Sequence, residues 1–103
     1  MRYQWDERKN LENQRKHGGI SFEVAALVFE DEYCLIGKDR VDENGEQRWI
    51  ALGAVPFEAD AVAVLVVIHA YRENRNGEEI IRIISARRAE KHERRSYQEQ
   101  AID

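Results

Sequence analysis

Three arginines lie near the carboxyl end of the sequence, around a serine that can begin a helix. Arg82, Arg87 and Arg88 flank Ser85. We expect Ser85 to be the N-cap of a final helix, with Arg87 and Arg88 in its first turn. A helix N-terminus attracts anions and disfavours each cation by about 0.3–1 kcal/mol, so arginines there indicate a bound phosphate. Alternatively, the guanidinium groups pair with nearby acids such as Glu90 or Glu79, and the pattern alone leaves both interpretations open.

A lysine and a histidine end the first predicted helix. Lys16 and His17 precede two glycines. A cation at a helix C-terminus is favourable, so a purely electrostatic surface role is one interpretation. However, side chains in such loops are often exposed for function, and an imidazole exchanges protons near neutral pH. We expect His69 to be a hydrogen-bonded core residue and His92 to be solvated.

Other kinds of site fit the sequence poorly. The three histidines and the single cysteine lack zinc-ligand spacing, and the acids between residues 39 and 46 lack calcium-loop spacing. There is no glycine-rich phosphate loop or nucleophile elbow. Cys34 follows an acidic stretch with no cation to lower its pKa, so a catalytic thiolate is not expected. The sequence therefore predicts no metal and no cofactor.

Composition limits the class of protein. The 103 residues include 16 Lys+Arg and 20 Asp+Glu, giving a net charge of −4, and they fit a single domain over 1–103. Because sequence-blind nucleic-acid binding usually uses a broad basic surface, we expect any RNA contact here to be local or to need the help of a partner. Residues 82–95 offer such a region, with six basic and two acidic groups. One cysteine and a longest apolar run of ten residues, 61–70, predict a cytoplasmic protein without a membrane span.

These residues depend on a predicted element order of β-α-α-β-β-β-β-α. A strand at 3–5 precedes a polar helix at 7–16 capped by Asp6, and Ser21 caps a second, largely apolar helix. The remaining predicted elements are strands at 33–39, 47–55, 61–70 and 79–85, and a helix at 86–101. The run 61–70 is apolar on both faces, which is typical of a central strand. The sequence therefore predicts an α+β fold, with two N-terminal helices and one C-terminal helix on a mostly antiparallel sheet.

Several motifs follow one another along nearly the whole chain. They are Trp5-Asp6-x-x-Lys9-Asn10-x-x-Asn13-x-x-Lys16-His17-Gly18, Ile20-Ser21-Phe22-Glu23-x-Ala25, Val28-Phe29, Arg48-Trp49, Ile81-Arg82-Ile83-Ile84-Ser85-Ala86-Arg87-Arg88-Ala89, Glu93-Arg94 and Tyr97. In this order and spacing, the sequence resembles the BrnT family of toxins from bacterial type II toxin–antitoxin systems. One departure is the pair Gly18-Gly19, where the family usually has one glycine, and this lengthens the loop that carries His17.

The resemblance implies a RelE-like ribonuclease fold and an endoribonuclease that cleaves RNA without a metal and inhibits translation. It also implies a cognate, BrnA-like antitoxin with a ribbon-helix-helix part that neutralises the toxin. DNA would be contacted only through that complex. The predicted helices leave part of the sheet uncovered, so an antitoxin or a second copy of the chain could dock there.

Metal-free RNA cleavage needs a base for the 2′-OH, cations for the phosphorane and an acid for the leaving 5′-oxygen. We expect Arg82 and Arg87 on the phosphate, with Arg48 as a third cation if its strand lies alongside. Lys16 and His17 are the candidates for proton transfer or for gripping the phosphate. Further RNA-binding candidates are Ser85, Arg88 and Tyr97, with Glu93 as an outside candidate.

The residues also allow a non-catalytic alternative. The arginine cluster could hold an anionic ligand or an acidic protein partner without any reaction. Catalysis requires His17 or Lys16 to share a pocket with the arginines, whereas a binding module does not.

Overall fold

The computed structural model describes residues 1–59 and 61–102. Its elements in chain order are β1 (Arg2–Gln4), α1 (Glu7–Lys16), α2 (Phe22–Ala26), a 3-10 segment (Leu27–Glu30), β2 (Leu35–Val41), β3 (Gln47–Pro56), β4 (Val62–Glu73), β5 (Glu79–Arg88) and α3 (Lys91–Ile102). This order confirms the predicted α+β fold. No helix in this part of the chain is both long and apolar enough to cross a membrane.

The strands of the described residues form one mixed sheet in the order β1-β5-β4-β3-β2. β1 runs parallel to β5, and the other neighbouring strands pair antiparallel. The predicted central position of β4 is confirmed. β4 buries Leu65 and Val67 on one face and Val66 on the other, which explains why its sequence is apolar on both sides.

The N-terminal helices begin where their caps predict. The Asp6 carboxylate accepts hydrogen bonds from the backbone N–H groups of Arg8 and Lys9, and the Ser21 hydroxyl accepts one from Val24. α2 and the 3-10 segment cover one face of the sheet with apolar side chains that include Phe22 and Val28. We call this the core face, and the opposite side of the sheet the second face.

The polar helix α1 is held in place by two buried asparagines. Asn13 donates through Nδ2 to the carbonyl oxygens of Ile20 and Ala86, at 3.0 and 2.8 Å, and accepts from the Ala86 N–H at 3.1 Å. Asn10 accepts from the Phe22 N–H at 2.8 Å. The Asn13 side chain thus pairs with the edge of β5 in the way that a neighbouring strand would.

The prediction for the C-terminal helix is wrong at its start. β5 continues to Arg88, and α3 begins only at Lys91, so Ser85 is not a helix N-cap and Arg87 and Arg88 are not in a first helical turn. The reason is tertiary pairing. Residues 85–88 pair with residues 65–68 of β4, after a bulge at Ile84, and the Asn13 side chain satisfies the outer edge at Ala86.

Candidate functional site

Three adjoining cavities run between α1 and the second face of the sheet. The first, about 420 Å³, is lined by Lys9, Asp42, Asn44, Glu46, Arg48, Arg72, Arg82 and Ile84. The second, about 220 Å³, is lined by Lys9, Glu12, Asn13, Lys16, His17, Ile84 and Ser85. The third, about 300 Å³, is lined by His17, Gly18, Arg87 and Arg88. Lys9 and Ile84 belong to the first two cavities and His17 to the last two, so we treat the three as one basic groove.

Strand register brings the arginines of the first cavity together. Arg82 pairs with Ala70, and Arg72 lies two residues further along β4 on the same face. Arg48 precedes Trp49, the partner of His69, so it approaches Ala70 from the other side. The buried Ala70 occupies little space, which leaves room above it for the longer side chains.

Acids of the β2–β3 turn neutralise part of the first cavity. Asp42 lies 3.5 Å from Arg48, and Glu46 lies 3.3 Å from Arg72. Among the described residues, no carboxylate lies within 4.0 Å of the cationic groups of Lys9 or Arg82. Arg48 Nε is buried without a hydrogen-bond partner there. The cavity carries four cations against two acids, a formal charge of +2.

A two-glycine turn places the candidate proton-transfer residues in the groove. α1 ends at Lys16, and Gly18 and Gly19 adopt φ values of +62° and +86°, which glycine tolerates without a steric penalty. Lys16 is exposed and His17 half-buried. The turn therefore puts His17 at the boundary between the second and third cavities.

An acid from α3 holds Arg87 on the third cavity. The two terminal nitrogens of Arg87 donate to the two Glu93 oxygens at 2.8 and 3.0 Å. The hydrogen bonds from Arg87 lower the pKa of Glu93 to about 2, and the pair raises the pKa of Arg87. Arg87 therefore pairs with an acid, which is the alternative that the sequence left open, but the acid is Glu93 and not the predicted Glu90 or Glu79.

Arg88 and Tyr97 lie at the far end of β5. The Arg88 guanidinium lies 3.4 Å from Glu58 and 4.9 Å from the ring centroid of Phe57. Tyr97 is buried, and its hydroxyl donates to the Asp31 carboxylate. Burial and this hydrogen bond raise the pKa of Tyr97 to about 12. Tyr97 lines a fourth cavity of about 500 Å³, which shares Arg88 with the third cavity but is not lined by Lys16 or His17.

The other candidate groups have the environments predicted for them. His69 is fully buried; its Nδ1 donates to the Val67 carbonyl at 3.4 Å, and burial lowers its pKa. His92 is solvated, with a 76% exposed side chain. Burial and the charge of Asp31 raise the pKa of the Cys34 thiol to about 11, which disfavours a reactive thiolate.

In the described part of the chain, a single group of possible metal ligands, Glu90, His92 and Glu93, lies within 4.8 Å. Both Glu93 oxygens already accept hydrogen bonds from Arg87, whose positive charge opposes a bound cation. These residues therefore fit an ion pair better than a metal site.

Two cationic residues of the groove were not identified from the sequence. Lys9 precedes Asn13 by four residues and Lys16 by seven, so the three residues share one face of α1. This spacing is a sequence signal that could have identified Lys9 as a groove residue. Arg72 lies beyond the predicted end of the central strand, and only the longer β4 places it beside Arg82.

Comparison with protein-family models identifies the family. The model for the ribonuclease toxin BrnT of type II toxin–antitoxin systems matches residues 5–93, and the chain belongs to this family. A search of curated proteins found no significant match. The matched range contains α1, the strands β2 to β5 and the whole basic groove.

Proposed function

We propose that this member of the BrnT family is an endoribonuclease that cleaves RNA in the basic groove without a metal ion. The observation that carries the proposal is that Lys16 and His17 share one continuous groove with Arg48, Arg82 and Arg87. A non-catalytic anion site has no need of a proton-transfer group among its cations. The acids of the first cavity pair with arginines, which favours charge stabilisation by guanidinium groups over metal binding.

The proposed reaction is internal attack by the RNA itself. The 2′-oxygen bonds to the adjacent phosphorus as a base takes its proton, and the bond from phosphorus to the 5′-oxygen breaks as an acid protonates that oxygen. The products are a 2′,3′-cyclic phosphate and a 5′-hydroxyl. His17 and Lys16 are the proposed proton-transfer pair, since both line the second cavity.

The arginines supply the positive charge that the reaction needs. Arg87 lies on the third cavity with His17, where it can stabilise the crowded phosphorane, and Glu93 fixes its orientation. Arg48 and Arg82 bind phosphate oxygens in the first cavity. Ser85 and Arg88 contact the RNA, whereas Tyr97 acts indirectly by anchoring α3 to Asp31.

We further propose that RNA cleavage in the cytoplasm inhibits translation and that a cognate ribbon-helix-helix antitoxin neutralises the toxin. This proposal rests on the type II toxin–antitoxin family to which the chain belongs. DNA contacts would come from the antitoxin. The protein itself has a net charge of −4, and the first cavity of the groove nevertheless carries four cations against two acids, which suits a local RNA site better than a broad DNA-binding surface.

The test is RNA cleavage by the purified protein in excess EDTA. We expect activity to persist and the products to carry 2′,3′-cyclic phosphate and 5′-hydroxyl ends. His17→Ala should lower kcat/KM by about 10²–10⁴-fold, as expected for loss of a general acid or base. Arg82→Ala should lower it at least about tenfold, since a hydrogen bond to a charged group contributes roughly 1.5–3 kcal/mol.

Arg8→Ala is the matched control, because Arg8 is exposed on α1 and lines none of the three cavities. Activity that disappears with EDTA and returns with magnesium contradicts the metal-free mechanism. Full activity in both groove variants contradicts the site. RNA that binds in the groove and is never cut supports the non-catalytic alternative.

A further inference from the structure

We propose that Lys9 and Arg82 bind a second phosphate of the RNA, distinct from the scissile one, so that efficient cleavage requires more than one phosphodiester. This inference rests on the proposed ribonuclease function. It divides the basic groove into a reaction end, at His17, and a binding end, at the first cavity.

The two ends of the groove are separated along the sheet. Arg82 pairs with Ala70, and Arg87 pairs with Val66, four residues apart on β4. At about 3.3 Å per residue, these positions lie about 13 Å apart. The proton-transfer candidates line the second and third cavities and not the first. A phosphate held among the arginines of the first cavity is therefore displaced from the reacting groups.

Lys9 connects the two ends. It lines both the first and the second cavity, and its side chain is exposed. In the described residues neither Lys9 nor Arg82 has a carboxylate within 4.0 Å, so a phosphate can bind them without breaking an ion pair. Arg48 and Arg72, by contrast, are already paired with Asp42 and Glu46.

A second observation also indicates an anionic ligand in the first cavity. Arg48 Nε is buried and donates to no acceptor among the described residues. A buried donor without a partner is unfavourable, and a phosphate oxygen is a suitable acceptor for it. Because a phosphodiester carries one negative charge, the cavity, with a formal charge of +2, stays positive after binding one phosphate. It therefore still attracts the next phosphate along the RNA.

The test compares substrates that differ in the number of phosphates. A dinucleotide contains only the scissile phosphodiester, whereas a hexanucleotide also offers neighbouring ones. We expect Lys9→Gln to lower kcat/KM for the hexanucleotide about tenfold, through KM, with kcat changed less than twofold. For the dinucleotide, Lys9→Gln and the wild type should be equal within twofold.

Binding of an uncleavable 2′-O-methyl hexanucleotide gives an independent readout. By fluorescence anisotropy, Lys9→Gln should raise Kd about tenfold and reduce the slope of log K against log salt by about 0.7, the value for one phosphate contact on a single strand. Arg8→Gln is the matched control, with the same charge change on the same helix, and it should leave the hexanucleotide Kd within twofold.

Equal losses on both substrates would place Lys9 at the scissile phosphate and overturn the inference. A Lys9→Gln variant that matches Arg8→Gln on the hexanucleotide would also overturn it, while cleavage by the wild type leaves the proposed function standing. If the wild type neither binds nor cleaves either RNA, the proposed function fails and the inference fails with it. Circular dichroism of each variant verifies that the fold is retained.

Discussion

The ion pair between Arg87 and Glu93 should stabilise the fold in a pH-dependent way. Replacing Glu93 by Gln keeps the shape of the side chain but removes its charge and one acceptor for the two Arg87 hydrogen bonds. A carboxyl whose pKa falls from 4.5 to about 2 on folding contributes at most about 3–4 kcal/mol at neutral pH, since each tenfold change in an acid constant is worth about 1.4 kcal/mol. The Arg87 side chain is 39% exposed, so solvent screening reduces our expectation to about 1–2 kcal/mol.

The sign of the pH dependence follows from the direction of the shift. Because the pKa of Glu93 is lower in the folded state than in the unfolded state, its contribution is complete above about pH 5. It is lost progressively as the pH falls from about 4.5 towards 2. The difference in free energy of unfolding between wild type and Glu93→Gln should therefore be constant from pH 5 to 8 and should shrink by pH 3.

Urea denaturation followed by tryptophan fluorescence measures this difference, with Glu90→Gln as the control. Glu90 is 68% exposed at its side chain, and its carboxylate lies 3.6 Å from His92, so its replacement should change stability by less than about 0.5 kcal/mol. A Glu93→Gln variant as stable as the wild type at pH 7 would refute the reasoning. So would a loss of the same size at pH 7 and pH 3.

Two further substitutions test packing, each by urea denaturation at pH 7. Asn13→Ala removes three buried hydrogen bonds to backbone groups and should lower the free energy of unfolding by about 3 kcal/mol. The control is Glu12→Ala, an exposed position on the same helix, which should lower it by less than about 0.5 kcal/mol. Equal stabilities of the two variants would contradict the role assigned to Asn13. Gly53→Ala would place a Cβ 2.8 Å from the Val28 carbonyl oxygen and should lower the free energy of unfolding by about 1–3 kcal/mol. The control is Gly37→Ala, whose Cβ would lie 3.9 Å from the Ile50 side chain and should be tolerated. A Gly53→Ala variant as stable as the wild type would show that the 3-10 segment moves away at little cost.

The candidate site was only partly predictable from the sequence. Lys16 and His17 lie where the helix end and the glycines indicate, at the boundary of the groove. Arg48 and Arg82 share a cavity, although β4 separates their strands, because both lie beside the small Ala70 of β4. Arg82 and Arg87, however, line different cavities, because they occupy one extended strand and not the turn that begins a helix.

The sequence by itself determined the features that depend on neighbouring residues. The caps at Asp6 and Ser21 set the starts of α1 and α2, because a cap acts on N–H groups two or three residues away. The apolar character of both faces of β4 likewise identified the central strand without reference to any other segment.

Only the tertiary structure decided where β5 ends and which groups surround Arg87. Residues 85–88 are held in a strand by the distant β4 and by Asn13, which is 73 residues from its partner Ala86. Local helix propensity near the end of the chain is worth tenths of a kcal/mol per residue, whereas each buried backbone group left unpaired costs about 1–3 kcal/mol. The pairing therefore outweighs the local preference, and no pattern within a few residues could have revealed it.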